Sequence, residues 1–335
     1  MEAPRLAEAL GVAKLFVKDE TSRFGLPSFK VLGASWAAYA ALRERLGPLD
    51  GPLTHERLQA WASPLRPLTL MAATDGNHGR AVARVARWFG LDARIFVPRF
   101  VSPERCQAIQ TEGAELVVID GVYDAAVDAA LAASRTANAL LISDTARSAS
   151  DVIPRQVTAG YTTSFAEIEQ QLSQSGDGRI NAVAVQAGVG GLASACTSWA
   201  RLTRRGRSPH VVVVEPQAAA CVMAGLAAGE PMTVSANQLS VMRVLQCGTV
   251  SLTAFANLQA GVSCCLAIED AWAMMAASEL HSCGITTGLS GAAGLAGLLA
   301  AFRGPFATVV REHLGLSADA RLLVVATEAA TSEPT

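Results

Sequence analysis

Lys30 follows Leu26-Pro27-Ser28-Phe29 and opens an apolar helical run. Burial there would desolvate its ammonium and draw its pKa down toward the neutral, nucleophilic amine, which can form a Schiff base with a carbonyl compound. A lone lysine can equally lay its stem along a core and send its charge to water. What tips the balance is the company it keeps: Thr74-Asp75-Gly76-Asn77-His78-Gly79, Ala187-Gly188-Val189-Gly190-Gly191 and Val324-Val325-Ala326-Thr327-Glu328. The glycines at 188, 190 and 191 lie between a strand pattern and a helix pattern, where unpaired N–H groups and a positive helix end suit a phosphate. In the first stretch a hydroxyl, an amide and Gly-rich backbone at a helix start make a nest for an anion such as a substrate carboxylate. The Asn77 amide can donate to a phenolate oxygen on a ring.

Each of these groups also has a plainer role. Asp75 and Asp144 suit helix caps or turns, and His78 suits a packed, hydrogen-bonded histidine. Gly188 to Gly191 suits a tight strand-to-helix turn. Gly188-x-Gly190-x-x-Ala193 also satisfies the dinucleotide pattern, with Glu215 closing the next strand somewhat beyond the usual spacing, so an NAD-dependent dehydrogenase is the rival reading. Such an enzyme has no use for the second nest at Thr74 to Gly79. Asp75 and Asp144 each follow a β-branched or apolar run, so two parallel strands could bring both to one sheet edge. Carboxylates paired there would repel, raising at least one pKa and leaving one as base and the other as acid.

The elements that must position these residues are legible as alternation. Leu15 to Asp19 reads as a strand, and Lys30 starts a helix that Gly47-Pro48 stops. Strand runs at Leu70 to Thr74, Ala93 to Val97, Glu115 to Ile119 and Leu140 to Ser143 alternate with helices over Arg80 to Phe89, Pro103 to Glu112 and Tyr123 to Thr136. After a polar connection at Thr145 to Pro154, a long helix to Gln174 leads into a second series. It has strands at Ile180 to Gln186, His210 to Val214, Cys264 to Ile268 and Leu322 to Ala326, with helices running to Thr203 and Ala228 and two more before the last strand. Pro231 to Gly248 lacks periodicity and reads as an irregular loop, and Glu328 to Thr335 as a frayed end. Strands separated by helices imply parallel β-α-β units, hence an α/β protein. At 335 residues two domains are expected, with 1–35 and 151–335 forming the larger and 36–150 inserted as the smaller.

Composition narrows the partners. The chain is 51% apolar and 17% charged with a net charge of -2, and it has no basic run, which disfavours nucleic acid and anionic membranes. No uninterrupted apolar run of about 18 residues appears, and Met1 to Leu10 does not read as a signal peptide. Seven cysteines without metal-type spacing read as reduced thiols and no metal site, placing the protein in the cytoplasm with a small-molecule substrate.

Lys18-Asp19-Glu20, Arg23-Phe24-Gly25-Leu26 with Phe29-Lys30, Thr74 to Arg80, Asp144-Thr145-Ala146, Ala187 to Gly191, Glu215-Pro216 and Ser290 to Leu295 occur in the order of diaminopropionate ammonia-lyase segments. The chain therefore resembles that family of fold-type II pyridoxal-phosphate enzymes. The resemblance implies a two-domain tryptophan-synthase-β-like fold with parallel sheets flanked by helices, pyridoxal 5'-phosphate as cofactor and a homodimer. It implies Lys30 as the Schiff-base lysine, Asn77 as partner of the ring oxygen, and Gly188, Val189, Gly190 and Gly191 as the phosphate cup. Thr327 would close the pyridine-nitrogen side, where a hydroxyl leaves that nitrogen largely unprotonated. Lys30, Asp75 and Asp144 would be catalytic, and Thr74, Asp75, His78 and Ser290 would meet the substrate. The implied reaction is α,β-elimination of ammonia from 2,3-diaminopropionate or a related small amino acid, giving a 2-oxo acid. Three stretches depart from the family: Arg147 to Asp151, Met242 to Gly248, and Leu289 where a Glu is usual. They keep a dehydratase of a 3-hydroxy amino acid of the serine, threonine or phenylserine type as the alternative.

Overall fold

The computed structural model describes residues 1–74, 76–121, 123–202, 208–235 and 238–331. Its strands are β1 (Lys14–Asp19), β2 (Thr69–Ala73), β3 (Asp92–Pro98), β4 (Glu115–Ile119), β5 (Ala139–Leu141), β6 (Ala182–Gln186), β7 (His210–Pro216), β8 (Val262–Ile268) and β9 (Arg321–Ala326). The helices are α1 (Pro4–Leu10), α2 (Lys30–Leu46), α3 (His55–Ala62), α4 (Asn77–Phe89), α5 (Pro103–Gln110), α6 (Tyr123–Ala133), α7 (Val152–Gln174), α8 (Gly191–Leu202), α9 (Cys221–Ala228), α10 (Leu252–Gly261), α11 (Asp270–Ser282), α12 (Ala293–Arg303) and α13 (Ala307–Leu314). One sheet has the order β1-β9-β6-β7-β8 and the other β4-β3-β2-β5. Every pairing between these strands is parallel. That is the α/β architecture expected from the alternation of strands and helices.

The chain divides into two compact units, one of residues 1–29, 145–150 and 161–335, the other of 30–144 and 151–160. The sequence reading divides the chain after residues 35 and 150. In the structure α2 is one continuous helix, so the second unit begins at Lys30. The start of α7 joins that unit because Gly160 lets it lie on the backbone of α2. A Cβ at Gly160 would collide with Leu32 O and stand 2.8 Å from Gly33 Cα.

In the first unit β6, β7 and β9 are buried almost throughout, as strands covered on both faces must be. Helix α12 is nearly all apolar and packs onto this sheet, with Gly297 admitting the Val214 side chain where a Cβ would clash. In the second unit Met71, Phe96 and Ala139 meet Ala126 and Ala130 of α6.

Several details depart from the expectations. Helices α1, α3 and α10 were not expected from the sequence, although Pro4 and Gly11 bound α1 and Thr54 caps α3, and three helices rather than two separate β8 from β9. The expected fraying from Glu328 is corrected at its start: Glu328 bridges Ser28, Ala329 bridges Thr287, and the Ala329 amide donates to Pro27 O at 2.9 Å. Backbone pairing there leaves residues 328 and 329 docked, while 332–335 lie outside the described residues. Among the described residues no single helix is long and apolar enough to cross a membrane.

Replacing Gly160 with Ala should lower stability by about 1–3 kcal/mol, the usual cost of overpacking a close crossing. A denaturant titration should show the midpoint fall, and an unchanged midpoint would mean that α2 can shift to make room.

Candidate active site

In the second unit β5 pairs with β2 in the register Thr69 to Ala139 and Met71 to Leu141, so Thr74 and Asp144 lie just beyond the carboxyl ends of adjacent strands. Thr74 is buried, and its Oγ1 accepts from the Gly76 amide at 2.9 Å. Gly79 lets α4 pack close, since a Cβ there would clash with Thr74 Cγ2 and come within 2.7 Å of Ile95 Cγ2. Asn77 is the first residue of α4. Asp75 lies outside the described residues.

Lys30 opens α2, and its Nζ donates to Asp144 Oδ2 at 2.8 Å. Its side chain is 26% exposed. The Lys30 amine therefore meets a carboxylate, because β5 delivers Asp144 to it. The buried His78 places Nε2 2.7 Å from Ile142 O, and since a carbonyl only accepts, that nitrogen carries the hydrogen. His78 Nδ1 then lies 3.8 Å from Asp144 Oδ2, without a hydrogen-bond partner among the described residues. Burial alone would push the Asp144 carboxyl up, but the electrostatic pull of His78 and Lys30 outweighs it and holds the group well below the usual carboxylate range. The other carboxylate of the expected pair, Asp75, lies outside the described residues, and Asp144 itself meets Lys30 and His78.

The first unit holds the rest. Between β1 and Phe29 the chain makes a tight hairpin in which Arg23 N donates to Leu26 O at 2.8 Å and Leu26 N to Arg23 O at 3.0 Å. Its two central residues, Phe24 and Gly25, both have positive φ, of 52° and 72°, as a type I′ turn demands. Beneath the hairpin lies an ionic network. Arg23 Nε and Nη2 donate to Glu20 at 2.9 and 2.5 Å, and its Nη1 and Nη2 donate to Glu167 at 2.8 and 2.7 Å. Lys18 Nζ adds 2.5 Å to Glu167, and Ser164 Oγ donates to the fully buried Glu20 at 2.9 Å. Hydrogen bonds from Arg23, then from Lys18, pull the Glu167 pKa down to about 2 despite partial burial. Past the hairpin, Phe29 N donates to Thr327 O at 3.3 Å and the Phe29 ring meets Tyr161 edge-on at 4.7 Å.

Gly188 to Gly191 form the turn from β6 into α8. A Cβ at Gly188 would stand 3.0 Å from Cys247 Sγ and 3.3 Å from Val244 O, and Gly190 has φ +92°. This backbone needs glycine, and the first-turn N–H groups of α8 have no partner within the helix. Gln186, at the end of β6, was not among the expected site residues; its polar head closing an otherwise apolar strand was the available signal. Its Nε2 donates to Thr327 Oγ1 at 2.8 Å, Gly291 O at 2.9 Å, Val325 O at 3.1 Å and Ser290 O at 3.3 Å. Ser290 and Thr327 are both buried beside it. Glu215 is buried with its pKa pushed up to about 7 by desolvation, yet its carboxyl accepts from Val222 N and Met223 N, each at 2.8 Å. It caps α9 and is not free to bind the ribose that the dehydrogenase reading requires.

Residues 1–310 match the family described as pyridoxal-phosphate dependent enzyme. The diaminopropionate ammonia-lyase of Salmonella typhimurium is 31% identical over 98% of this chain and 83% of its own length. The chain belongs to the pyridoxal-phosphate-dependent enzymes and, within them, to the diaminopropionate ammonia-lyase family. The solved diaminopropionate ammonia-lyase of Escherichia coli in complex with D-serine superposes with a TM-score of 0.87 at 30% identity, covering 98% of this chain and 83% of that one. The serine racemase of maize, at 19% identity and a TM-score of 0.79 over 99% and 88% of the two chains, shares the fold. These relatives establish the tryptophan-synthase-β-like, fold-type II architecture.

The residues present fit the cofactor of this family. The turn at Gly188 and Gly190 has no room for side chains and offers helix N-terminal N–H groups to a phosphate. Lys30 supplies a primary amine, and Thr327 supplies a buried hydroxyl.

Glu167→Gln should weaken the network beneath the hairpin. A carboxyl whose pKa is lowered on folding adds stability above its ordinary 4.5 and loses it as pH falls toward 2. The variant should therefore be about 1 kcal/mol less stable at neutral pH, a modest figure because Glu167 is partly solvated. Its melting curve should converge with the native one near pH 2, and a gap independent of pH would show that packing, not charge, accounts for the loss.

Proposed function

We propose that this chain is a carbon–nitrogen lyase that uses pyridoxal 5'-phosphate to eliminate ammonia from 2,3-diaminopropionate or a related small β-substituted amino acid, leaving a 2-oxo acid. The observation that carries the reading is the Lys30 amine held 2.8 Å from the Asp144 carboxylate, in a chain belonging to this family. When bound, the cofactor supplies an electron sink for the charge that develops at the substrate Cα.

The chain's own residues do the rest. Gly188, Val189, Gly190 and Gly191 hold the phosphate with their backbone. Lys30 and Asn77 would hold the aldehyde and ring-oxygen side, and Thr327 would meet the pyridine nitrogen. Thr74, Asp75, His78 and Ser290 bind the substrate. Lys30 Nζ takes the Cα proton from one enantiomer, and Asp75 serves as base for the other. Asp144, already hydrogen-bonded to Nζ, accepts the proton that Lys30 has gained and passes it to the departing β-amino group, so the nitrogen leaves as neutral ammonia. His78 supports the Asp144 charge from 3.8 Å.

Leu289 is apolar where the family usually has a carboxylate, and it packs against the core rather than presenting charge. That favours, as a second reading, a dehydratase in which the β-group is a hydroxyl. No cysteine among the described residues is in a disulfide, which supports a reducing, cytoplasmic setting. We further expect a homodimer, with sedimentation equilibrium as the measurement that decides it.

Lys30→Ala should abolish turnover and remove the visible absorbance of the lysine-bound cofactor, and activity surviving this change would sink the proposal. Asp144→Asn should lower kcat by about 10²–10⁴ while leaving that absorbance in place. A panel of β-amino and β-hydroxy amino acids, run as both enantiomers for 2-oxo acid release, should favour 2,3-diaminopropionate. Preference for serine or threonine would instead select the dehydratase. Asp75→Asn should slow one enantiomer more than the other, and equal losses would remove its assignment as a face-specific base.

A further inference from the structure

The Gln186 amide fixes one direction in which the Thr327 hydroxyl does not donate. Gln186 is only 3% exposed, and its Nε2 faces four oxygens, three of them backbone carbonyls that can only accept: Gly291 O at 2.9 Å, Val325 O at 3.1 Å and Ser290 O at 3.3 Å. The NH₂ end of the amide must therefore lie on this side, and the assignment of its nitrogen and oxygen is not arbitrary. The fourth oxygen is Thr327 Oγ1 at 2.8 Å. An amide nitrogen has no lone pair to offer, so Thr327 accepts from Gln186 and cannot spend its own proton there. The carbonyl end of the amide has no hydrogen-bond partner among the described residues and lies beside Gly294, where a Cβ would stand 3.1 Å from Oε1. Gly294 thus makes the room that lets this glutamine take the only orientation its neighbours permit.

We propose that Gln186 is a positioning residue that locks the Thr327 hydroxyl as a donor toward the cofactor's pyridine nitrogen. The inference rests on the reading of Thr327 as the neighbour of that nitrogen. With one lone pair engaged and an N–H dipole directed at its oxygen, the hydroxyl becomes a stronger donor and a poorer acceptor. A bare ring nitrogen is welcome beside it. A protonated one would direct its N–H at an oxygen already facing another donor, so the arrangement disfavours the pyridinium. The protein thereby limits how far the ring can delocalise charge, using a neutral amide three residues before Val189 and no ionised group.

The test is a double-mutant cycle on cofactor affinity and on the absorbance of the bound cofactor, using Gln186→Met, Thr327→Val and the pair. Each single change should weaken pyridoxal phosphate binding about five- to tenfold, the value of one buried hydrogen bond. The pair should lose little more than the worse single variant, while Thr327→Ser, which keeps the hydroxyl, should bind and absorb as the native chain does. Melting of the cofactor-free variants reports the purely structural cost of Gln186, which does not depend on Thr327 Oγ1 alone. If the Met variant does not fold, Gln186→Asn keeps an amide but withdraws it from Thr327, and the same losses and the same coupling are expected. Additive losses would overturn the role of Gln186 while leaving the Thr327 assignment intact. A Thr327→Val chain with native affinity and spectrum would overturn both that assignment and this proposal.

Discussion

Within each sheet of this protein the paired strands all run the same way, so every carboxyl end in a sheet lies along a single edge. Polar groups that close those strands must then find partners beyond the ladder, at the place where helices begin. In the first sheet Glu20 follows β1, Gln186 ends β6, Glu215 lies near the end of β7 and Thr327 follows β9. In the second sheet Thr74 follows β2 and Asp144 lies beyond β5. The chemistry-bearing side chains are largely the answers to this one geometric demand.

How each group is satisfied sets what it can do. Desolvating an ion costs several kcal/mol, so a charge as deep as Glu20 persists only because Arg23 and Ser164 surround it with donors. That network is weak evidence for stability as such, but it fixes the hairpin from which the chain runs on to Lys30. Gln186 answers the same demand without charge, placing a single NH₂ group among four acceptors. Glu215 lies between the two: buried against apolar neighbours, it takes two helix N–H groups, and its pKa rises because those bonds do not make up for the lost water. Asp144 goes the other way, since the electrostatic pull of His78 at 3.8 Å and Lys30 at 2.8 Å more than offsets its burial.

Much of the fold was legible because period and punctuation agreed. Apolar runs such as Ala182 to Gln186 and His210 to Val214 sit between helices, and Gly90, Gly229 and Gly315 end helices in the left-handed conformation that favours glycine. Where a helix carries no such marks, as in α3 and α10, the pattern was silent. The frayed reading from Glu328 failed for a similar reason: the bridges of Glu328 to Ser28 and of Ala329 to Thr287 involve partners distant in the chain. The candidate site was legible as a set of residue types, and least legible where a side chain acts through another, as Gln186 and Glu167 do.

The order of the motifs, the run of glycines at 188, 190 and 191, and a lysine at the head of an apolar helix are properties of the chain itself. They follow from local rules of backbone freedom and periodicity, and they sufficed to name a family. Which carboxylate meets Lys30 and which amide donates to the Thr327 hydroxyl were decided only when parallel pairing brought β2 beside β5 and β6 beside β9. Charge state and hydrogen-bond direction depend on neighbours a few ångströms away in space, and those neighbours lie more than a hundred residues away along the chain.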